Sequence, residues 1–429
     1  DLLPAGLRAR VRGIQVHGRA TKIALAGQRT AINLGGVEAD AVARGTTLAP
    51  AGRLRATQII DARVEVLASA PRPLRSRARV RVHAGTAEVL ARVQVIEEGG
   101  EIAAGAQGFA QLRLESPVVV LPGERVILRS YSPQRTVAGA LVLDAFAHKR
   151  RGRERAAARA RLSALAEADR AGRVSLFVAA AGAGALTRAD LAARTGWRDE
   201  VLDEETAEAK RRGEVFDAEG VFISREMLDG LITAAAREVE AHHRREPLQR
   251  GLARETLRER LFAHVGVEVF RAALAAAERA GSLVAERDVV RARTHSLELS
   301  ADDASFRDSL ERIYREAALE APALDEAFAR AAAGRQVSRE HARKILQLLI
   351  DAGVLTRVTA DLFFHRDALA RLVADLREYA ARAAAPDRLI DVATFKDIAR
   401  VSRKYAIPLL EHLDSVRVTR RAGDRRLIL

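Results

Sequence analysis

The sequence predicts a multidomain chain, β-rich up to about residue 145 and helical with short hairpins beyond it. Three observations predict this. Apolar and polar residues alternate with period two in Leu7–Val16, Ala78–Val82 and Gly108–Glu115, as in half-buried strands. The pattern changes near Phe146-Ala147-His148-Lys149-Arg150-Arg151, after which Ala, Leu, Arg and Glu take helical spacing. Within the helical region a single unit recurs four times, and a period of one small domain is the mark of an array.

Composition limits the function classes. At ~150 residues per domain, 429 residues suggest about three domains, more if they are small. A hydrophobic content of 48% supplies several cores and argues against disorder. Cysteine is absent, which excludes disulfides, zinc fingers, iron–sulfur clusters and thiol nucleophiles, and suits a reducing compartment. No window holds the ~18 uncharged apolar residues of a membrane helix, and Asp1–Pro4 is not a signal peptide. The net charge is +14, and lysine supplies only six of 71 basic residues, leaving 65 arginines. Such a surplus favours a polyanionic partner, but GC-rich coding yields the same ratio, so charge alone assigns none.

In the β-rich region, Gln111-Leu112-Arg113-Leu114-Glu115 turns its leucines one way and its polar side chains the other. Arg125-Val126-Ile127-Leu128-Arg129 is more continuously apolar and predicts a strand covered on both faces. Turn signals stand at Ala26-Gly27, Pro50-Ala51-Gly52, Glu98-Gly99-Gly100 and Pro122-Gly123. Many short strands with close turns predict antiparallel barrels, joined across Ala51–Thr57.

Each recurrent unit reads as a short helix, a turn, a longer helix and two short apolar segments. They are Leu186–Leu191, a helix from about Asp199 and Val215–Ile223; Glu255–Leu261, Gly266–Ala280, Leu283–Ala285 and Val289–Arg293; Leu324–Ala331, Ser338–Ala352, Val354–Val358 and Leu362–His365; and Phe395–Ala399, Ser402–Leu413, Val416–Arg420 and Arg426–Leu429. Gly213, Gly281 and Gly353 precede the first three hairpins, where a helix must stop, and Asp414-Ser415 takes that place in the fourth. Helix–turn–helix plus hairpin is the winged-helix pattern. Generic helical repeats with incidental hairpins would not repeat that glycine.

At these residues the chain resembles the bacterial selenocysteine-specific translation elongation factors. Gln15-Val16-His17-Gly18, Ala26-Gly27-Gln28-Arg29 and Ala31-Ile32-Asn33-Leu34 look like the family's second domain, a β-barrel; Arg129-Ser130 and Thr136–Ala140 look like the last strands of its third. Phe395-Lys396-Asp397, Ser402–Glu411 and Thr419–Arg426 look like its terminal winged helix, the most distinctive match. The expected fold is therefore two β-barrels, translation-factor domains two and three, followed by four winged-helix domains. The expected division is 1–52, a partial barrel; 53–146, the second barrel; and winged helices at 147–224, 225–298, 299–366 and 367–429. The family's GTPase domain has no counterpart, because no Gly-x-x-x-x-Gly-Lys-Ser/Thr loop occurs and none of the six lysines follows a glycine. The expectation is a fragment without the motor, not itself an enzyme, with GTP and Mg confined to the missing domain and no cofactor here.

The resemblance implies the sites. Arg29 matches an arginine that helps line the selenocysteine pocket, where an anionic selenolate suits a fixed guanidinium. Lys396, Ser402, Arg403, Lys404, Arg420, Arg421, Arg425 and Arg426 match the domain that binds the selenocysteine-insertion hairpin of the messenger RNA. Residues 380–429 hold eleven Lys/Arg against six Asp/Glu, a net +5. Ser402 is placed to cap the helix that opens with Arg403 and Lys404, where the dipole favours an anion. The wing tip Arg421–Arg425 adds cations from a tight turn. The implied partners are selenocysteinyl-tRNA, the hairpin and the ribosome, for a cytoplasmic monomer with no membrane role.

Other signals are weaker. His242-His243 point apart on a helix and make a poor chelate, so no metal is expected. Asp302-Asp303 and Glu204-Glu205 read as helix-start charges and solvated faces, and Trp197 and Phe363-Phe364 as core. Lys149-Arg150-Arg151 with Arg153 reads as a linker charge run or an RNA contact. Two rivals remain open. One is a winged-helix DNA-binding transcription regulator, which needs base-reading side chains deep in the recognition helix, whereas Tyr405–Leu410 is largely apolar. The other is a structural spacer.

Overall fold

The computed structural model describes residues 1–150, 154–295, 299–382 and 388–429; Arg151 and Arg153 of the basic run lie outside them. The chain forms two compact units, residues 1–235 with 258–280, and residues 236–257 with 281–429.

The first unit opens with β1 (Leu2–Leu3), β2 (Arg10–Val16), β3 (Arg19–Thr21), β4 (Thr30–Gly35) and β5 (Thr47–Leu48). They form a β1–β5 pair and a three-stranded sheet β3–β2–β4, the open counterpart of the partial barrel that the sequence predicts. Only Leu2, Leu3 and Gly35 are buried in this stretch, while Ile23 and Leu25 stay well exposed.

Eight strands follow: β6 (Thr57–Val66), β7 (Leu74–Arg75), β8 (Arg79–Ala84), β9 (Ala87–Val95), β10 (Glu101–Ile102), β11 (Gln107–Val118), β12 (Arg125–Ser130) and β13 (Thr136–Asp144). Six close a barrel in the order β11–β6–β13–β12–β8–β9, with every neighbour antiparallel, and β7 pairs β10 outside it. Period-two burial fills the interior: Ile60, Ala62 and Val64 from β6, Ala110 and Leu112 from β11, and Val126 and Leu128 from β12 are buried. Ile127, between the last two, is 50% exposed. The strand at Arg125–Arg129 is thus covered on its inner face only, contrary to its apolar run, because the outer face of β12 is open to solvent at that point.

The remaining elements repeat one plan. The first set is α1 (Arg155–Glu167), α2 (Arg170–Ala181), β14 (Leu186–Thr187), α3 (Arg188–Thr195), α4 (Asp199–Arg211), β15 (Val215–Ala218) and β16 (Val221–Ser224). The second is α5 (Arg225–Arg245), β17 (Leu252–Ala253), α6 (Arg254–Leu261), α7 (Val267–Arg279), β18 (Leu283–Ala285) and β19 (Val289–Ala292). The third is α8 (Ala301–Ala317), α9 (Leu324–Ala332), α10 (Arg339–Asp351), β20 (Leu355–Arg357) and β21 (Phe363–His365); the fourth is α11 (Arg366–Arg382), β22 (Leu389–Ile390), α12 (Val392–Ala399), α13 (Arg403–Ser415), β23 (Thr419–Ala422) and β24 (Arg425–Ile428). The longer helix of each helix–turn–helix, α4, α7, α10 or α13, has 13 residues. In three sets a short strand pairs with the last strand of the hairpin to make a three-stranded wing sheet.

Chain reversal after each longer helix uses a left-handed residue two positions past its end. Gly213, Gly281 and Gly353 hold it with φ of 74°, 72° and 66°. In the fourth set the residue is Arg417, φ 60°, and not Asp414-Ser415, which belong to the last turn of α13.

Candidate nucleic-acid interface

The fourth winged helix is built on a small core. Phe395 of α12, Ala406, Leu409, Leu410 and Leu413 of α13 and Ile428 of β24 are buried. Asp391 caps α12 by accepting from the Thr394 backbone N–H at 2.8 Å, and those bonds hold its carboxyl below the usual range. The apolar residues of α13 are therefore spent on packing. Its exposed residues past the cap, Arg403, Lys404, Ile407, Glu411 and the terminal Ser415, include one apolar group and one carboxylate along the length of the helix. A helix entering a major groove needs donors there instead. Only its first turn is cationic.

Ser402 occupies the cap position of α13, with φ −71° and ψ 162°, but its side chain accepts no capping hydrogen bond. The sequence expectation of a side-chain cap is corrected: its backbone carbonyl accepts from Tyr405 and Ala406, and the exposed hydroxyl stays unused by the helix. Arg403 is exposed; Lys404 lies over the Tyr405 ring at 5.3 Å, and the Tyr405 hydroxyl donates to Ala321 O at 3.0 Å. Pro408 has no N–H to give to the Lys404 carbonyl four residues back. Placing two cations at a helix N-terminus opposes the dipole, a cost that an anion bound there would cancel.

The wing divides its arginines. Arg420, Arg421 and Arg425 are exposed, with Arg421 Nε donating to Gly423 O at 3.3 Å in the tight turn. Arg426 is different: its Nε donates to Asp414 Oδ2 at 2.9 Å and its side chain is only 12% exposed. Thr419 donates to the other oxygen of Asp414 at 2.6 Å. Arg426 is a strut between hairpin and helix, and the pairing removes it from the free cations that the sequence grouped together. Lys396 is half-buried on α12, at the margin of the patch. Arg388, Arg400 and Arg417, which the sequence reading did not single out, are also exposed. Arg400 and Arg417 both adopt left-handed backbone, at 52° and 60°, a conformation costly for any residue but glycine.

In the first unit, Arg29 is exposed one residue before β4, whose Thr30 faces Val16 of β2. Gln28 beside it accepts the Leu25 backbone N–H at 2.8 Å and shapes the turn that presents Arg29.

A second charge constellation escaped the sequence reading. Asp61 and Asp144 are fully buried where the barrel meets the first winged helix. Arg150 grips both Asp61 oxygens, at 2.8 Å to Oδ1, and Gln111 donates to Oδ1 at 3.1 Å. Arg161 of α1 bridges Asp61 and Asp144, and Arg194 of α3, 7% exposed, donates to Asp144 at 2.6 Å and 3.1 Å. Burial pushes the Asp144 carboxyl up, but Arg194 and Arg161 outweigh it and hold it below the usual range. Arg150 thus belongs to a protein-internal network, and is neither a solvated linker charge nor available to RNA. Ile96 and Leu143 of the barrel join Leu162, Val174, Phe177 and Leu191 in one apolar cluster beside it.

Elsewhere the weaker signals find structural places. His243 is buried, stacked on His295 with centroids 3.5 Å apart, and accepts the Ala292 N–H at 3.2 Å. Asp303 pairs with His341 at 2.6 Å and Asp302 with Arg335 at 2.9 Å, both near the start of α8. Phe363 and Phe364 are core, whereas Trp197 is half-buried beneath the Arg170 guanidinium.

Barrel, winged-helix array and a terminal basic wing define a multidomain factor of the translation-factor type. Family models agree: the selenocysteine-specific elongation factor beta-barrel domain matches residues 61–149, and two elongation factor SelB winged-helix models match 236–291 and 383–428. The selenocysteine-specific elongation factor of Desulfomicrobium baculatum is 30% identical over the whole of this chain and 66% of its own length. That of Escherichia coli is 24% identical over 98% of this chain and 63% of its own length. A crystal structure of a bacterial selenocysteine-specific elongation factor shares the fold, with TM-score 0.60 and 20% identity over the whole of this chain and 63% of that one. The chain belongs to the selenocysteine-specific elongation factor family, and it spans just under two thirds of the length of these relatives.

Proposed function

We propose that this chain serves co-translational insertion of selenocysteine at UGA codons in the cytoplasm, by tethering selenocysteinyl-tRNA near the ribosome through a messenger-RNA hairpin. The fourth winged helix holds the hairpin: Arg403 and Lys404 take a phosphate at the start of α13, and Arg420, Arg421 and Arg425 take phosphates along the wing. Ser402, with its hydroxyl unused, donates to the same anion, and Lys396 contacts the RNA at the edge. The barrels, with Arg29 as one wall of the selenocysteine pocket, carry the aminoacyl-tRNA. Tethering raises the local concentration of cargo at one codon. GTP and Mg belong to a phosphate-loop domain that these 429 residues do not contain.

The observation that carries this reading is the pairing pattern. On α13 and the wing of the fourth winged helix the exposed Arg403, Arg420 and Arg425 make no ion pair among the described residues, while the half-buried Arg426 does. A structural spacer gives no reason for uncompensated cations at a helix N-terminus. The carboxylate and apolar residue along the exposed length of α13 argue against the DNA-regulator alternative.

The test is RNA binding by the whole chain across a salt series. The cognate hairpin should bind more tightly than a scrambled stem, with a steep salt slope that falls by about one for each cation–phosphate pair removed by mutation. Equal affinity for the two stems sinks the proposal.

A further inference from the structure

Where α1 meets the barrel, a cleft of about 310 Å³ is lined by Ser76, Arg77, Gln94, Arg150 and Arg155 against an apolar wall that includes Ile96. Its volume is at the lower end for small-ligand sites. Among the described residues, three guanidiniums line it and no acidic side chain does. Arg150 is committed to Asp61 and fixes the floor. Arg77 and Arg155 have no acidic partner among the described residues.

Two further features point the same way. Arg155 is the first residue of the 13-residue α1, so a phosphate held by its guanidinium lies near the positive end of the helix dipole. Arg77 holds left-handed backbone at φ 71°, pinned by its N–H to Val93 O at 2.7 Å and by the Val93 N–H to Ala78 O at 2.9 Å. Glycine would sit there at no steric cost; an arginine is carried against strain. Ser76 Oγ accepts from the Val95 N–H at 3.0 Å and from Gln94 at 3.4 Å, and neither bond uses its own hydrogen.

We propose that this cleft is a phosphate-binding site, in which Arg77 and Arg155 grip the oxyanion and Ser76 donates to it. The ligand class is a phosphate group, carried either by an RNA backbone or by a free nucleotide. The site is independent of the hairpin face on α13 and its wing.

Calorimetric titration of the whole 429-residue chain at low salt tests the proposal, with pyrophosphate, a nucleoside triphosphate and a short single-stranded RNA of scrambled sequence as probes. Wild-type protein binds pyrophosphate, Arg77→Gly weakens it at least tenfold and Arg155→Ala several-fold, while Arg77→Lys keeps most of the affinity. Arg77→Gly also melts no lower than wild type, because the strain is relieved; a purely structural arginine would not separate binding from stability in this way. If the scrambled RNA competes with pyrophosphate, the phosphate is a backbone one; if only the triphosphate competes with it, it is a nucleotide's. Arg403→Glu with Lys404→Glu weakens cognate-hairpin binding by on the order of 100-fold without touching the pyrophosphate titration, so failure of either site is read separately. Pyrophosphate affinity unchanged in Arg77→Gly and Arg155→Ala, or lost only in the α13 variant, overturns the assignment.

Discussion

The first and fourth winged helices share element order and helix length but carry opposite charge at corresponding places. The first turn of α4 holds Asp199 and Glu200; that of α13 holds Arg403 and Lys404. The wing of the first contains Asp217 and Glu219, that of the fourth Arg420, Arg421 and Arg425. Asp199, Asp217 and Glu219 of the first are answered from within the protein. Asp199 accepts from Arg53 and Arg188, Asp203 from Arg188, Asp190 from Arg55, and Glu219 from Arg271. The cations at the start of α13 are answered by no carboxylate among the described residues. One scaffold therefore carries a protein-paired acidic helix start in one copy and an unpaired cationic one in the other, and under the proposed function the second meets a polyanion.

The sharpest break in that comparison is at the buried junction of the first winged helix. Asp144→Ala should leave the buried Arg194 without its partner and Arg161 with Asp61 alone, and cost about 3–5 kcal/mol, read from denaturant unfolding of the first unit. Hairpin affinity should survive, because the fourth winged helix lies in the other unit. Loss of both together would mean that the two regions do not act separately.

Next comes the face itself. Arg403→Glu with Lys404→Glu should weaken cognate-hairpin binding by on the order of 100-fold at low salt, measured by fluorescence anisotropy. The same variant should raise stability by roughly 0.3–1 kcal/mol per reversed charge, since acids at a helix start agree with the dipole. The converse change, Asp199→Arg with Glu200→Lys, should create no hairpin binding, because Asp217 and Glu219 still repel phosphate from that wing.

Arg417→Gly should stabilise the fourth winged helix by up to about 1 kcal/mol, bringing it into line with Gly213, Gly281 and Gly353, as seen in its melting transition. The second winged helix supplies a milder, pH-dependent contrast. Burial, then His295, His242 and Arg291, push the His243 imidazole down to about 4. The neutral form belongs to the fold, so its contribution is fully present above pH 6.5 and declines as the pH falls from 6.5 towards 4. His243→Gln should flatten stability across that window; an unchanged slope would deny the buried neutral imidazole.

Much of the array is legible in the residue order because its signals are local. Helical periodicity, the stop glycines and the apolar hairpin strands each act within a few residues, so the four helix–turn–helix units can be placed from Asp199, Gly266, Ser338 and Arg403. The basic character of the last fifty residues can be counted directly. Which of those cations are free cannot. Arg426 and Arg425 are neighbours of the same type, yet one points at Asp414 and the other at solvent, because successive residues of a strand face opposite ways and only the fold puts Asp414 on one side. Ile127 misleads for a related reason: an apolar residue in a strand says that burial is available, not that a neighbour arrives to provide it.

The family, the two-region architecture and the cationic terminal wing follow from residue order and composition alone. Tertiary structure decided what Asp61 and Arg150 do. Alternation along β6 turns Asp61 outward, away from Ile60 and Ala62, where a carboxylate would be solvated. It is buried because residues 89 and 100 positions further along the chain bring guanidiniums over it. Charge pairs of that kind follow from packing in space, and no spacing in the sequence encodes them.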